Sequence, residues 1–293
     1  MRPELFHLEH LSSADLEFIW ETVAPGSDPH RGLAFLSEEP ELVERLLEDE
    51  RLFRRLSPWL EEGRTPGEQE RRPGNASPLV RLTPYFLFQI LLRQTRRELG
   101  SASYTVEWTG SRQRVPVFDA PALFRALEDP LRLAYLAELL ASFSRVQGTT
   151  VWYRRGGRLR KLRVHEMDPA SLEKLLELSA PEDRFFLCRR LGDSVLFLAG
   201  IFADHVGRAA HGPIPVFPFL PSLPPGLAAI EALDEKGRHY YHLAAEHPRA
   251  RPSGLQSLLE SLAGEFRQVR RVLNYLGDRY INRFRQSWFH PAA

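Results

Sequence analysis

The sequence predicts a mainly α-helical protein, a multi-helix orthogonal or bundle domain with one small antiparallel β-hairpin at residues 149–164. Three observations predict it. Apolar residues recur at helical spacing along most of the 293-residue chain. Pro, Gly and short polar residues stand where those stretches start and stop. One segment breaks the helical period: Thr149-Thr150-Val151-Trp152-Tyr153-Arg154-Arg155, then Gly156-Gly157, then Arg158-Leu159-Arg160-Lys161-Leu162-Arg163-Val164. Its β-branched and aromatic first half suits a strand. The Gly-Gly pair suits a two-residue primed turn, which needs positive φ.

The first helices are expected over 13–24 and 32–61. Ser13 is placed to cap the first, with Asp15 and Glu17 in its opening turn. In the second, Leu42, Leu46, Leu47, Phe53 and Leu56 share a helical face. Glu61 to Ser77 then turns polar, with Gly63, Pro66, Gly67, Pro73 and Gly74. The expected organisation is an N-terminal helical subdomain over 1–62, a loop over 63–77 and a main helical domain over 78–293.

Pro84 opens a helix that runs to Gly100; its first half is apolar all round and belongs in a domain interior. Residues 115–145 continue the helical pattern, with Asp119 as a candidate cap and Phe124, Leu127, Leu131, Tyr135, Leu136, Leu139 and Leu140 as the apolar face. After the hairpin, Asp168-Pro169 reads as a cap and first-turn proline of a helix over 169–178, followed by one over 182–207. Six prolines from Pro213 to Pro225 exclude helix and central strand there, and a helix near 229–246 follows. Finally, Leu262, Phe266, Val269, Leu273, Leu276 and Tyr280 alternate four and three apart, an a/d seam with Arg267, Arg270, Arg271 and Arg279 outside it. Such a seam serves either as a core helix or as a homodimer helix spanning 255–289.

Composition narrows the classes. Net charge is +1, so nothing global favours nucleic acid or an anionic membrane, and any basic surface is local. Lysine occurs only at 161, 174 and 236 and asparagine only at 75, 274 and 282, beside one cysteine and two methionines. A GC-rich genome explains the arginine bias. Scarce Asn, Cys and Met also suit a thermophile, although scarce lysine does not. Cys188 alone permits no internal disulfide and no cysteine zinc cluster. The N-terminus has no signal-peptide apolar region, and the apolar run Val195–Phe202 is too short for a bilayer. A cytoplasmic protein without membrane contact is expected.

Two constellations carry chemistry. The hairpin places Arg154, Arg155, Arg158, Arg160, Lys161 and Arg163 within ten residues, beside Trp152 and Tyr153. Alternation puts Arg158 and Arg160 on one face together with Arg155. Guanidinium groups grip phosphates and aromatic rings stack on bases, so nucleic acid or an acidic protein is the expected partner. The plain alternative is a solvated edge hairpin whose arginines discourage aggregation. The second constellation is His239, His242 and Glu246 on one helix face, with His205 ending an earlier helix. Imidazole and carboxylate at this spacing can hold a divalent metal, in a metal-binding protein or metalloenzyme, although the pattern is not a zincin motif. No other cofactor is expected. His7 and His10 form a similar pair at a terminus expected to be mobile.

Arg189-Arg190-Leu191-Gly192-Asp193 leads into Ser194–Phe202, where Gly192 and Gly200 point either to close helix packing or to a ligand approaching the backbone, and Arg189 can pair with Asp193. Cys188 lies in an apolar run, and no Gly-x-Ser-x-Gly, phosphate-loop or dinucleotide fingerprint occurs, so no catalytic residue is assigned. Arg114-Val115-Pro116-Val117-Phe118-Asp119, Tyr135–Phe143, the basic hairpin, Arg189–Phe202 and Tyr240-Tyr241-His242-Leu243-Ala244 together resemble a family of helical bacterial proteins across much of residues 80–285. The proline-rich stretch departs from the shorter connection of that pattern. The resemblance implies the helical fold and supplies no activity.

Overall fold

Asp-Pro pairs open three of the helices. Asp28, Asp129 and Asp168 accept the N–H of His30 (3.0 Å), Leu131 (2.9 Å) and Ala170 (3.1 Å), while the following proline occupies a first-turn site where no donor is lost. In the computed structural model the described residues are 3–61, 81–108, 114–144, 148–155, 158–165, 167–206 and 227–289. They form α1 (Pro3–His10), α2 (Ser13–Val23), α3 (Pro29–Glu38), α4 (Pro40–Leu47), α5 (Glu50–Glu61), α6 (Pro84–Ser101), β1 (Thr105–Trp108), β2 (Arg114–Val117), α7 (Ala120–Ala126) and α8 (Pro130–Phe143). There follow β3 (Gly148–Arg155), β4 (Arg158–His165), α9 (Pro169–Leu178), α10 (Arg184–Ile201), α11 (Ala203–Val206), α12 (Leu227–Glu246), α13 (Gln256–Gly264), α14 (Phe266–Leu276), a π-helical turn (Gly277–Ile281) and α15 (Arg285–Phe289). The protein is mainly helical with small antiparallel ribbons. No helix among the described residues is long and apolar enough to cross a membrane.

Two compact units divide the chain: Met1–Ser101 with Leu127–Ser144 and Arg279–His290, and Ala102–Ala126 with Arg145–Asp278 and Pro291–Ala293. This differs from the expected division into 1–62 and 78–293, because α6 and α8 cluster with the N-terminal helices. The 63–77 loop and the prolines of 213–225 lie outside the described residues.

In the first unit α6 is the core helix. Tyr85 through Arg93 are all buried, as an all-apolar half-helix demands. It packs on α8 and α5, and α1 packs on α4 and α8. The expected single helix over 32–61 is three helices. Pro40 bars its predecessor Glu39 from helical geometry (φ −122°, ψ 68°), and Asp49 restarts the chain by accepting the Arg51 N–H at 2.9 Å. The cap of α2 is Ser12 rather than Ser13. Ser12 Oγ accepts the Asp15 N–H (3.3 Å), and Asp15 returns by accepting the Ser12 N–H (2.8 Å). Asp15 also accepts the backbone N–H of Thr83 at 2.9 Å, which ties the start of α2 to the start of α6. His7 is not at a loose end: only 2% exposed, it meets Tyr85 Oη at 3.0 Å and Glu44 at 2.5 Å.

In the second unit α10 is central. Leu191 to Ile201 are buried on every side, between α12, α14 and α9. Its glycines mark close crossings, as the sequence predicts. A Cβ on Gly192 would lie 2.7 Å from Tyr241 Cδ1, and one on Gly200 would lie 2.6 Å from Leu273 Cβ. Gly200→Ala must push two helix backbones apart, since Leu273 Cβ cannot swing away. We expect a loss of about 2 kcal/mol in urea unfolding. Gly264→Ala is the control: its Cβ meets nothing within 4 Å. It should be neutral or slightly stabilising.

The seam residues Leu262, Phe266, Val269, Leu273 and Leu276 are buried within the single chain, which is the core-helix alternative. The one long helix expected over 255–289 is broken, however, at Glu265 and again by the π-helical turn. One ribbon was not expected. Residues 114–117 belong to β2, which pairs with β1 in the register Thr105↔Val117, Val106↔Pro116, Glu107↔Val115. The helical reading from 115 is corrected accordingly; helix resumes at Ala120.

Candidate functional site

The basic hairpin is present and one residue longer at each end than predicted. The register runs Gly148↔His165, Thr149↔Val164, Thr150↔Arg163, Val151↔Leu162, Trp152↔Lys161, Tyr153↔Arg160, Arg154↔Leu159 and Arg155↔Arg158. The last pair flanks Gly156-Gly157, which lie outside the described residues. Directly opposed residues share a face. Positions 149, 151, 153, 155, 158, 160, 162 and 164 therefore lie on one face, and 150, 152, 154, 159, 161 and 163 on the other. Arg155, Arg158 and Arg160 fall together with Tyr153, as alternation predicts. Arg154, Lys161 and Arg163 fall together with Trp152.

The ribbon is amphipathic along its length rather than across it. On the first face the end near the turn is basic, while Val151, Leu162 and Val164 occupy the base. Val164 is buried against Leu172 of α9 and Leu191 of α10. The hydroxyl of Ser171 accepts the His165 N–H at 3.1 Å and donates to the Asp168 carbonyl at 2.9 Å. The same Asp168 caps α9. One end of the ribbon is thus fixed, and eight residues at about 3.3 Å each carry the chain roughly 26 Å along it.

The candidate metal residues assemble only in part. His239 and His242 are exposed on α12 and line a cleft of about 530 Å³ with Glu235, Arg238, Glu260, Ala263 and Gly264, between α12 and α13. His242 Nε2 pairs with Glu246 Oε1 at 3.2 Å, and the His239 ring lies beside Tyr240 (5.5 Å between centroids). The His205 side chain lies outside the described residues. No three His, Cys, Asp or Glu side chains among the described residues converge as a metal would need. Asp193, read as the partner of Arg189, accepts a hydrogen bond from Tyr241 Oη at 2.8 Å, with Arg189 Nε at 3.9 Å.

The sequence reading missed a buried charged centre on α14. Arg270 donates from Nε to Asp234 (2.7 Å) and from Nη2 to Glu107 (3.0 Å). Arg271 donates to Glu107 (3.1 Å) and Thr105 Oγ1 (2.7 Å) and forms an ion pair with Asp119 at 2.9 Å. Asn274 accepts from Arg270 at 2.8 Å and donates to the carbonyls of Ala199 and Gly200, closing the crossing with α10. Burial alone would raise the Glu107 carboxyl, but the Arg270 hydrogen bond and the charges of Arg271, Arg270 and Arg267 take it below the ordinary range. At Asp234 burial outweighs Arg270 and the carboxyl is raised. Burial likewise lowers Arg271 against the pull of Glu107 and Asp119. With every guanidinium partnered, this centre fastens β1 and the start of α7 to α14. The signal available in the sequence was the pair Arg270-Arg271 set inside Val269 and Val272-Leu273, where one arginine of an adjacent pair must lie near the core.

No family model, no curated protein and no solved structure matches the chain. The resemblance carried by its motifs stands on those motifs alone.

Proposed function

We propose that the chain is a non-catalytic binding protein and that the β3–β4 ribbon contacts nucleic acid through its phosphates. One observation carries this reading. The register divides six basic residues into two sets of three, each sharing a face with one aromatic residue, and one set, Arg155, Arg158 and Arg160, stands at the end of the ribbon away from its packed base. Arginines contact phosphates, and an aromatic residue on the same face, Tyr153 or Trp152, is the residue type on which bases stack.

Fluorescence anisotropy with labelled single-stranded and duplex DNA and RNA tests it. The combined variant Arg155→Glu, Arg158→Glu, Arg160→Glu should lose about a hundredfold or more in affinity at low salt, since each lost phosphate contact is replaced by repulsion. Its thermal unfolding should stay near wild type, because the anchor at Val164 and Ser171 is untouched. Equal affinity in wild type and variant overturns the reading. Charge-dependent binding to polyglutamate without binding to nucleic acid would reassign the ribbon to an acidic protein partner.

A further inference from the structure

We propose that the partner of the β3–β4 ribbon is double-stranded B-form DNA, and that the ribbon enters the major groove with its two faces turned to the two phosphate backbones. The inference rests on the reading of the ribbon as a phosphate-binding element and narrows it to one kind of nucleic acid. The observation behind it is the division of positive charge between opposite faces. Arg155, Arg158 and Arg160 lie on one face, and Arg154 and Arg163 on the other. A single strand laid across a sheet is gripped by one face, on which its bases stack, and the other face needs no charge. Here both faces are charged, and each carries its own aromatic residue, Tyr153 on the first and Trp152 on the second. A ribbon of this kind fits between two anionic walls. The groove of a duplex supplies two such walls, one from each phosphate backbone.

Dimensions select the groove. The base of the ribbon is held where Val164 packs on Leu172 of α9 and Leu191 of α10. The four register pairs farthest from that base, from Trp152↔Lys161 to Arg155↔Arg158, carry the strands about 10 Å along at roughly 3.3 Å per residue. The major groove of B-DNA is about 8.5 Å deep and about 12 Å wide, and it admits a two-stranded ribbon; the minor groove is only about 6 Å wide. The major groove of an RNA duplex is deep and too narrow for side chains to read. The pair nearest the turn adds a second indication. Arg155 stands directly opposite Arg158. Like charges in directly opposed positions destabilise a ribbon. A phosphate beside the two guanidinium groups relieves that repulsion.

Fluorescence anisotropy with a short DNA duplex, the RNA duplex of the same sequence and one of the DNA strands alone tests the choice of partner. The DNA duplex should bind about tenfold or more tightly than either of the others at the same salt concentration. Neutralising either face, as Arg155→Gln with Arg158→Gln or as Arg154→Gln with Arg163→Gln, should make the salt slope on the DNA duplex shallower by about 1.8, since each variant loses two phosphate contacts at about 0.9 each. Circular dichroism checks that both variants keep the fold. The groove itself is read on the wild-type protein. At saturation, guanine N7, which faces the major groove, should be protected from methylation by dimethyl sulfate, while adenine N3, in the minor groove, should stay reactive. Equal or tighter binding to the RNA duplex or the single strand, a slope that only one of the two variants changes, or unprotected guanine N7 would overturn this proposal and leave the phosphate-binding reading in place. Absence of binding to every nucleic acid would overturn both.

Discussion

Glu107→Ala is expected to destabilise the protein by about 3–5 kcal/mol, read as a fall in the urea midpoint, because it strips a shared carboxylate from two buried guanidinium groups. Arg270 and Arg271 are only 2% and 4% exposed at their side chains, and water cannot replace the lost partner. Asp234 and Asp119 remain, so the buried centre keeps two carboxylates against two fully buried arginines. It loses, however, the one acid that reaches both. Glu107→Gln keeps the shape and one acceptor and should cost less. Replacing the pair together, as Glu107→Leu with Arg271→Met, should recover part of the loss, since a buried ion pair is often no better than well-packed apolar atoms of similar volume. Recovery would mean that the centre sets geometry, holding β1 and α7 to α14, rather than supplying net stability.

Arg93→Ala should cost a similar amount in the first unit, again about 3–5 kcal/mol. Arg93 is 1% exposed and donates to Glu44 (2.5 Å), Glu48 (2.8 Å) and Gln89. Without it Glu44 keeps, among the described residues, only His7. Hydrogen exchange in α1 should quicken, since His7 is the polar link from α1 to α4. The same cluster gives a pH dependence. Burial tends to raise the Glu44 carboxyl, but His7 and Arg93 more than offset this and hold it below its ordinary value. The folded state therefore favours the ionised form. This contribution is complete above the ordinary glutamate value of about 4.3 and fades as pH falls through the lower folded-state value. Glu107 acts in the same direction. Asp234, raised by burial, takes up its proton first in the folded state and offsets part of the loss. Stability should thus drop below roughly pH 4.3, and Glu44→Gln should flatten that drop.

The legible parts of the fold were those with strong local chemistry. Asp168-Pro169 set the start of α9 to the residue, Pro84 set that of α6, and Gly156-Gly157 centred the hairpin on the pair Arg155↔Arg158. Gly192 and Gly200 announced close crossings that the structure contains. What escaped depended on distant partners. The strands β1 and β2 have four residues each, too few to display a period, and Pro116 argues against a strand. Arg270 and Arg271, far along the chain, explain why Glu107 points inward. His7 looked like a residue at a loose terminus because Tyr85 and Glu44, its partners, lie 78 and 37 positions away. The seam of the last helices, which the sequence left open between a core row and a homodimer face, is buried within the chain at Leu262, Phe266, Val269, Leu273 and Leu276. Its breaks at Glu265 and over 277–281 leave the apolar rhythm intact and so left no mark on it.

The two ribbons of the second unit differ in kind. One is anchored by apolar residues at its base and is basic toward its turn. The other hides its carboxylates and exposes its rings. The central claim concerns the first, and the salt dependence of its binding tests it most directly. Each phosphate contact contributes about −0.9 to the slope of log Kobs against log salt concentration on duplex DNA, and about −0.7 on a single strand. Neutral replacement of Arg155, Arg158 and Arg160 by glutamine should make the slope shallower by roughly 2 to 3. A slope that is the same in wild type and variant would contradict the account.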